Sequence, residues 1–264
     1  MNNLKKPIHW LRQPRHRRLK IAGLIITLVA GCYLSIRAIL LVTQLTDPRN
    51  SNFARWFMGN EADRQALITT QGEACEGAPF ILPADGFIGL LYGDARGPYS
   101  QRNPHQGIDI FSNGSPGETP VYAVYDGYIR REFNWVSTLI QRVPDDPLQP
   151  GRQIWLYYTH LAPASGETDF IEPAFPPGAP ELFVEQGTLL GYTGNYSGNP
   201  ANPVGVHLHF SIIRDDRAGN YTNELDFANS IDPSPYLGMA VNAGCQRGVP
   251  ACTSEPVCAE AVTP

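Results

Sequence analysis

The chain has 264 residues, 42% of them hydrophobic and 17% charged, with 25 Gly and 24 Pro. That leaves room for one sizeable domain with appendages, rich in turns and favouring β structure over long helices. The net charge of −5 averages two opposite regions: residues 1–42 carry eight basic and no acidic side chains, while 43–264 carry 12 basic against 25 acidic, a net of −13 that argues against nucleic acid as a partner.

Residues 1–20 form a basic tail holding all three lysines of the chain; nothing in the sequence accounts for their absence elsewhere. An apolar run follows over 21–42, interrupted only by Arg37. It is long enough to cross a hydrocarbon core, which takes ~20 residues. The basic flank predicts a cytoplasmic N-terminus and an exported body, with Arg37 reaching the outer interface. A cleaved signal would be shorter and would end at small residues, so an uncleaved single-pass anchor is expected. The competing reading is a lipobox, Val29-Ala30-Gly31-Cys32, in which Cys32 is lipidated after cleavage. Against it, Tyr33 to Val42 stays largely apolar where a polar tether is usual.

Residues 43–79 read as a stalk or linker, with Phe53-Ala-Arg-Trp-Phe57 on a short helix. From 80 to 240 the pattern becomes strands punctuated by Gly and Pro. Val121–Tyr125, Tyr128–Arg130, Gln153–Tyr158 and Val206–Ile213 are β-branched and aromatic runs. Pro144–Gly151 reads as a hairpin-like insertion. Pro163–Pro180 reads as a long Pro-rich loop, of the kind that serves as a lid or mobile surface. Residues 241–264 form an extension with Cys245, Cys252 and Cys258, which with Cys75 suit two disulfides outside the cytosol. Three pairings are possible, and if all four pair, at least one bridge joins the two ends of the domain. No CxxC spacing supports a structural metal there.

Histidine usage concentrates the chemistry. Of six histidines, His9 and His16 lie in the tail, and His105, His160, His207 and His209 all fall in short motifs. In His207-Leu-His209 the imidazoles two apart share one face of a strand, with Leu208 on the other. In His105-Gln-Gly-Ile-Asp109 the outer residues would lie roughly 13 Å apart if fully extended, so the chain must bend to bring both to one ion. Gly107 is where such a bend is tolerated. Imidazole and carboxylate donors suit zinc, whose catalytic sites take three protein ligands and leave one position for water. Five candidates are present, two more than needed, and chemistry alone leaves open which of His207 and His209 binds.

These residues resemble the LytM/lysostaphin-type zinc metallopeptidases, peptidase family M23. The HxxxD and HxH signatures are His105–Asp109 and His207–His209. Gly117-Glu-Thr-Pro-Val-Tyr-Ala-Val-Tyr-Asp-Gly127 resembles the family's G-T-P-V-x-A-x-x-x-G stretch, and Tyr158-Thr-His160-Leu161 its Y-x-H-L. Gln186–Gly194 followed by His207-Leu-His209-Phe210 is similar to its G-x-x-I-G-x-x-G…H-L-H-F, and Asp232–Leu237 resembles its exit. The resemblance covers about 80–240.

The resemblance implies a mainly β fold, an antiparallel sheet domain of LytM/lysostaphin type (duplicated-hybrid-motif-like), here behind an N-terminal transmembrane helix. It implies one Zn²⁺ per chain held by His105, Asp109 and His209, with His160 and His207 acting on water and the transition state. It implies peptidoglycan peptide as substrate, cut in stems or cross-bridges by an extracytoplasmic domain. Amide hydrolysis needs a proton acceptor, charge stabilisation and proton delivery to the amine, which fits those roles. Tyr99 is a candidate oxyanion donor or simply a packed aromatic. Asp94, Asp126 and Glu118 would be the carboxylates of a glycosidase reading, but lone acids in an acidic domain are usually solvated. Two alternatives stand beside the endopeptidase. One is a non-catalytic regulator of other hydrolases, which would ordinarily have lost ligands. The other is a metalloprotease of exported proteins, since the Pro163–Pro180 loop and the long Asn195–Pro203 link depart from the common pattern and bear on the substrate.

Overall fold

The computed structural model describes residues 13–70, 72–245 and 248–253; Lys5, Lys6, Arg12 and Cys258 lie outside the described residues. The chain divides into two compact units, 1–51 and 52–264. The first is dominated by helix α1 (Gln13–Thr46), whose stretch Lys20–Ile39 is long and apolar enough to cross a membrane and has no buried residue. Within that stretch three polar side chains close on the helix itself. The Thr27 and Ser35 hydroxyls donate to the carbonyls of Gly23 and Gly31, each at 2.9 Å, and Arg37 Nε donates to the Tyr33 hydroxyl at 3.0 Å. Such internal satisfaction is what a hydrocarbon environment demands.

The second unit is built on one antiparallel sheet. Its strands are β1 (Phe87–Leu90), β2 (Ile108–Phe111), β4 (Gly127–Arg130), β5 (Leu139–Val143), β6 (Ile154–Thr159), β7 (Leu182–Val184) and β9 (His207–Arg214), running in the order β1-β2-β9-β6-β5-β4-β7. A short β10 (Ser230–Ile231) pairs the far half of β9, and β3 (Pro120–Tyr122) and β8 (Leu189–Tyr192) form a separate ribbon. The domain is therefore mainly β and antiparallel, as expected.

Alternation along the strands decides the two faces. Ile108 and Ile110 of β2, Leu208, Phe210 and Ile212 of β9, Leu156 and Tyr158 of β6 and Leu139 of β5 join one large core. Their neighbours point the other way: Asp109 and Phe111, His207 and His209, Tyr157 and Thr159. In register, Asp109 faces His209, Phe111 faces His207, and Thr159 faces His209 from the other side. One face of the sheet is thus a hydrophobic core and the opposite face carries the chemistry.

Several segments expected to stand apart are folded onto this domain. Helix α2 (Pro48–Met58) lies across the division between the units, and from Asn52 onward the expected stalk is packed. Trp56 and Leu67 are buried with Phe87, Leu90 and Phe111, and a capping box on Asn60 starts α3 (Glu61–Gln65). Pro144–Gly151 is the turn of the β5–β6 hairpin rather than an insertion, anchored by the fully buried Asp146, which accepts from Arg152 and from Tyr236 of helix α4 (Ser234–Leu237). The Pro-rich loop is no detached lid either. Ile171 and Phe175 enter the core, and Phe170 and Glu172 pair in backbone with Leu161, Leu190 and Tyr192. The start of the C-terminal extension is also docked: Val241 is fully buried, and Cys252 is bridged to Cys75. That disulfide joins the two ends of the domain across 177 residues. Cys245 is disulfide-bonded as well, and Cys32 is free and exposed.

Candidate metal centre and cleft

Strand β2 presents Asp109 and strand β9 presents His207 and His209, while His105 arrives from the loop before β2 and His160 immediately follows β6. The bend expected at Gly107 is there, but the reason for glycine is space, since a Cβ would overlap the Phe210 carbonyl oxygen and the Ser211 hydroxyl. His160 adopts a left-handed backbone (φ 74°), which costs a non-glycine residue about 1–3 kcal/mol and is a conformation characteristic of functional sites.

His105, Asp109 and His209 converge, all buried, with one donor atom from each within 4.8 Å of the others. His105 Nε2 lies 3.0 Å from His209 Nδ1 and 3.2 Å from Asp109 Oδ1, and His209 Nδ1 lies 2.8 Å from Asp109 Oδ1. Their partners on the outer side decide which of these atoms carry protons. His105 Nδ1 faces the Leu91 carbonyl at 3.0 Å, which can only accept, so its proton sits there and Nε2 presents a lone pair. His209 Nε2 meets the Ser211 hydroxyl at 2.7 Å. When His209 donates to that hydroxyl, three lone-pair atoms converge with no proton among them. Such an arrangement calls for a cation at its centre, and N₂O donors with outer hydrogen bonds fixing the tautomers suit zinc.

The remaining two histidines stand beside this cluster. His207 Nδ1 donates to the Gly205 carbonyl at 2.7 Å and His160 Nδ1 to the Tyr196 carbonyl at 2.6 Å, so both turn an Nε2 lone pair elsewhere. Their rings are 4.4 Å apart, and His207 Nε2 is 3.7 Å from Asp109 Oδ1. Phe111 stacks beneath His207 at 5.1 Å.

Burial and neighbouring groups shift the protonation of Asp109, His160 and His209. Burial would raise the Asp109 carboxyl, but the neighbouring His105 and His207, with hydrogen bonds at His105 and His209, outweigh it and hold it well below the usual carboxylate range. Burial, then the adjacent His207, lowers His160 to about 3, and burial lowers His209 as well. Both rings are neutral at neutral pH. Tyr99 stacks on His105 at 4.4 Å, and burial followed by the Asp109 charge raises its phenol, so it stays a protonated donor.

A cleft of about 420 Å³ opens over this face, walled by Tyr99, Gln106, Tyr157, Tyr196 and Glu224 with His160 and His209 at its floor. The carboxylates of the glycosidase reading lie outside it: Glu118 accepts from the Ser115 backbone, Asp126 from that of Gln186, and Asp94 lies beside Arg96. Sequence reasoning missed Ser211, Phe111, Tyr157, Gln106 and Glu224. Ser211 and Phe111 were within reach, each lying two residues along a strand from a proposed site residue and so on the same face. Glu224 and the Tyr196 carbonyl come from loops, which have no periodicity to read.

No family model matches the chain, and no curated protein does. Solved structures do. A Helicobacter pylori Csd3 structure aligns at 16% identity over 61% of this chain and 33% of its own, with a TM-score of 0.36. A protein assigned as peptidase M23 from Pseudomonas aeruginosa aligns at 18% identity over 66% and 56%, with a TM-score of 0.35. One assigned as glycyl-glycine endopeptidase LytM from Ruminococcus gnavus aligns at 22% identity over 62% and 59%, with a TM-score of 0.35. The chain thus spans a third to three-fifths of these proteins. Its likeness to the M23 peptidases rests on four motifs in the family's order and on the cluster they assemble.

Proposed function

We propose that this chain is a membrane-anchored zinc metalloendopeptidase that hydrolyses peptide bonds in peptidoglycan stems or cross-bridges. The observation that carries the reading is the convergence of three lone-pair donors, His105, Asp109 and His209, beside two further histidines whose Nδ1 protons are committed to backbone carbonyls. Zinc, which His105, Asp109 and His209 would hold, would supply a Lewis acid for the scissile carbonyl and favour ionisation of water in the site. His160 and His207, whose Nδ1 protons are committed to backbone carbonyls, would accept the attacking water's proton at Nε2 and deliver it to the leaving amine. Tyr99 donates its hydroxyl to the oxygen that gathers charge. A non-catalytic regulator would tolerate loss of such groups, and the presence of all five favours the enzyme.

The anchor reading is supported by α1, whose apolar stretch follows the basic tail. It places residues 43–264 outside the membrane, where disulfides persist. A reporter fused after Val42 that remained cytoplasmic would refute it, and lipid labelling of Cys32 would establish the lipoprotein instead.

The enzyme reading is tested by incubating the detergent-solubilised, zinc-loaded chain with purified peptidoglycan and weighing the released fragments by mass spectrometry. Soluble fragments with new peptide termini are expected. Intact peptidoglycan alongside cleavage of an unfolded exported protein would move the substrate to the third reading, and inertness on both would reject the peptidase.

A further inference from the structure

We infer that Glu224 makes the cleft selective for peptides that carry a cationic amine close to the scissile bond. This deepens the peptidase reading and rests on it. Among the described residues that line the cleft, Glu224 is the one carboxylate, and none is Arg or Lys. The Glu224 carboxylate accepts from the Tyr221 hydroxyl at 3.0 Å. Tyr157 lines the same cleft as Glu224. Tyr157 in turn sits edge-on to the His209 ring at 6.0 Å, so Glu224 is one side chain removed from the metal cluster.

The loop that carries it is tied down at both ends. Gln106, inside the HxxxD motif, donates to the Leu225 carbonyl at 3.1 Å, the Asn223 side chain accepts from the Leu225 backbone at 3.1 Å, and Thr222 donates to the Arg214 carbonyl at 2.7 Å. The carboxylate is therefore held in place by side chains that cannot neutralise it. A carboxylate has about four acceptor positions, and phenol donors leave some of them open. Arg130 and Arg142, which line a separate cavity of about 380 Å³ together with Tyr221, are paired with Glu132 and Glu181. A substrate ammonium beside Glu224 meets an unneutralised carboxylate, whereas a substrate carboxylate there meets repulsion and finds no Arg or Lys side chain in the cleft lining. The same asymmetry disfavours trimming at a free C-terminus and favours internal cleavage.

The test uses the full zinc-loaded chain in detergent. Its probes are synthetic peptides identical except for Lys, Nε-acetyl-Lys or Glu, scanned through three positions on each side of the cut. In the natural chain kcat/KM for Lys should exceed that for acetyl-Lys at one position by about three- to tenfold, as a partly exposed ion pair permits. That ratio should fall to about one in Glu224→Gln and turn towards the Glu peptide in Glu224→Lys. Because each ratio is taken within one protein, losses of fold or metal cancel, and zinc content is read on the same preparations. A ratio of one at every position in the natural chain, or an unchanged ratio in Glu224→Gln, overturns the assignment. If no peptide is cut, the peptidase reading fails alone, and the same ratios of Kd from fluorescence anisotropy decide the role of Glu224 by the same criteria.

Discussion

At the scale of single residues, the proposed function divides the five site groups into two chemical roles that can be measured independently. His105, Asp109 and His209 supply the converging donor atoms. Replacing any one by Ala should remove most of the approximately single zinc per chain, because a three-ligand site loses an essential donor. His160→Ala and His207→Ala should keep the metal and lose hydrolysis by ~10²–10⁴-fold, the usual contribution of a general acid or base. Zinc content and turnover on the same preparations check both statements. Near-normal turnover in a metal-loaded His207→Ala protein would reduce that ring to packing.

The depressed histidines also bear on stability. With the metal removed by a chelator, His160 holds a pKa near 3 in the folded chain against about 6.5 when unfolded. The unfolded state therefore binds more protons between those values, so stability is fully present above pH 6.5 and is lost as pH falls towards 3. His209 acts in the same direction. Thermal melts of the chelated chain should show the midpoint falling through this window. His160→Gln should flatten part of the slope, and an unchanged pH dependence would contradict it.

Among the elements, helix α2 has a closer relation to the site than a stalk would. Phe57 and Phe53 meet Phe111 at 5.4 and 5.9 Å, and Phe111 stacks under His207 at 5.1 Å. The aromatic row runs from the helix to the His207 ring. Phe111→Leu keeps an apolar contact for α2 but removes the ring beneath His207. We expect zinc and KM to hold while kcat falls ~10-fold or more, since misplacing a catalytic group by about 1 Å costs as much. A normal kcat would show that the row is packing alone.

Over the whole molecule, the Cys75–Cys252 bridge closes a loop of nearly the full domain. Cross-links over long loops restrict the unfolded chain, typically by 2–4 kcal/mol. Cys75→Ser should lower the thermal midpoint of the oxidised protein, while reductant should lower the natural chain's midpoint and leave the variant less affected. Equal sensitivity of the two would remove this role from the bridge. The bridge ties Cys75, packed in the core, to Cys252 beyond α4.

The sequence by itself determined the local chemistry. Ligand types at fixed spacing, strand alternation in His207-Leu-His209 and the apolar run behind a basic tail are all properties of neighbouring residues, and each is legible from short windows. The mainly β fold followed from the same windows, because alternation and turn residues act locally. Only the tertiary structure decided what depends on distant pairing. It brought Asp109 opposite His209 across a hundred residues, turned Pro163–Pro180 from a lid into core packing, and chose Cys252 as the partner of Cys75. It also set Glu224, a residue without any motif, into the wall of the cleft. Sequence spacing carries no information about such contacts, since they are fixed by the register of the sheet and the path of the loops over its face.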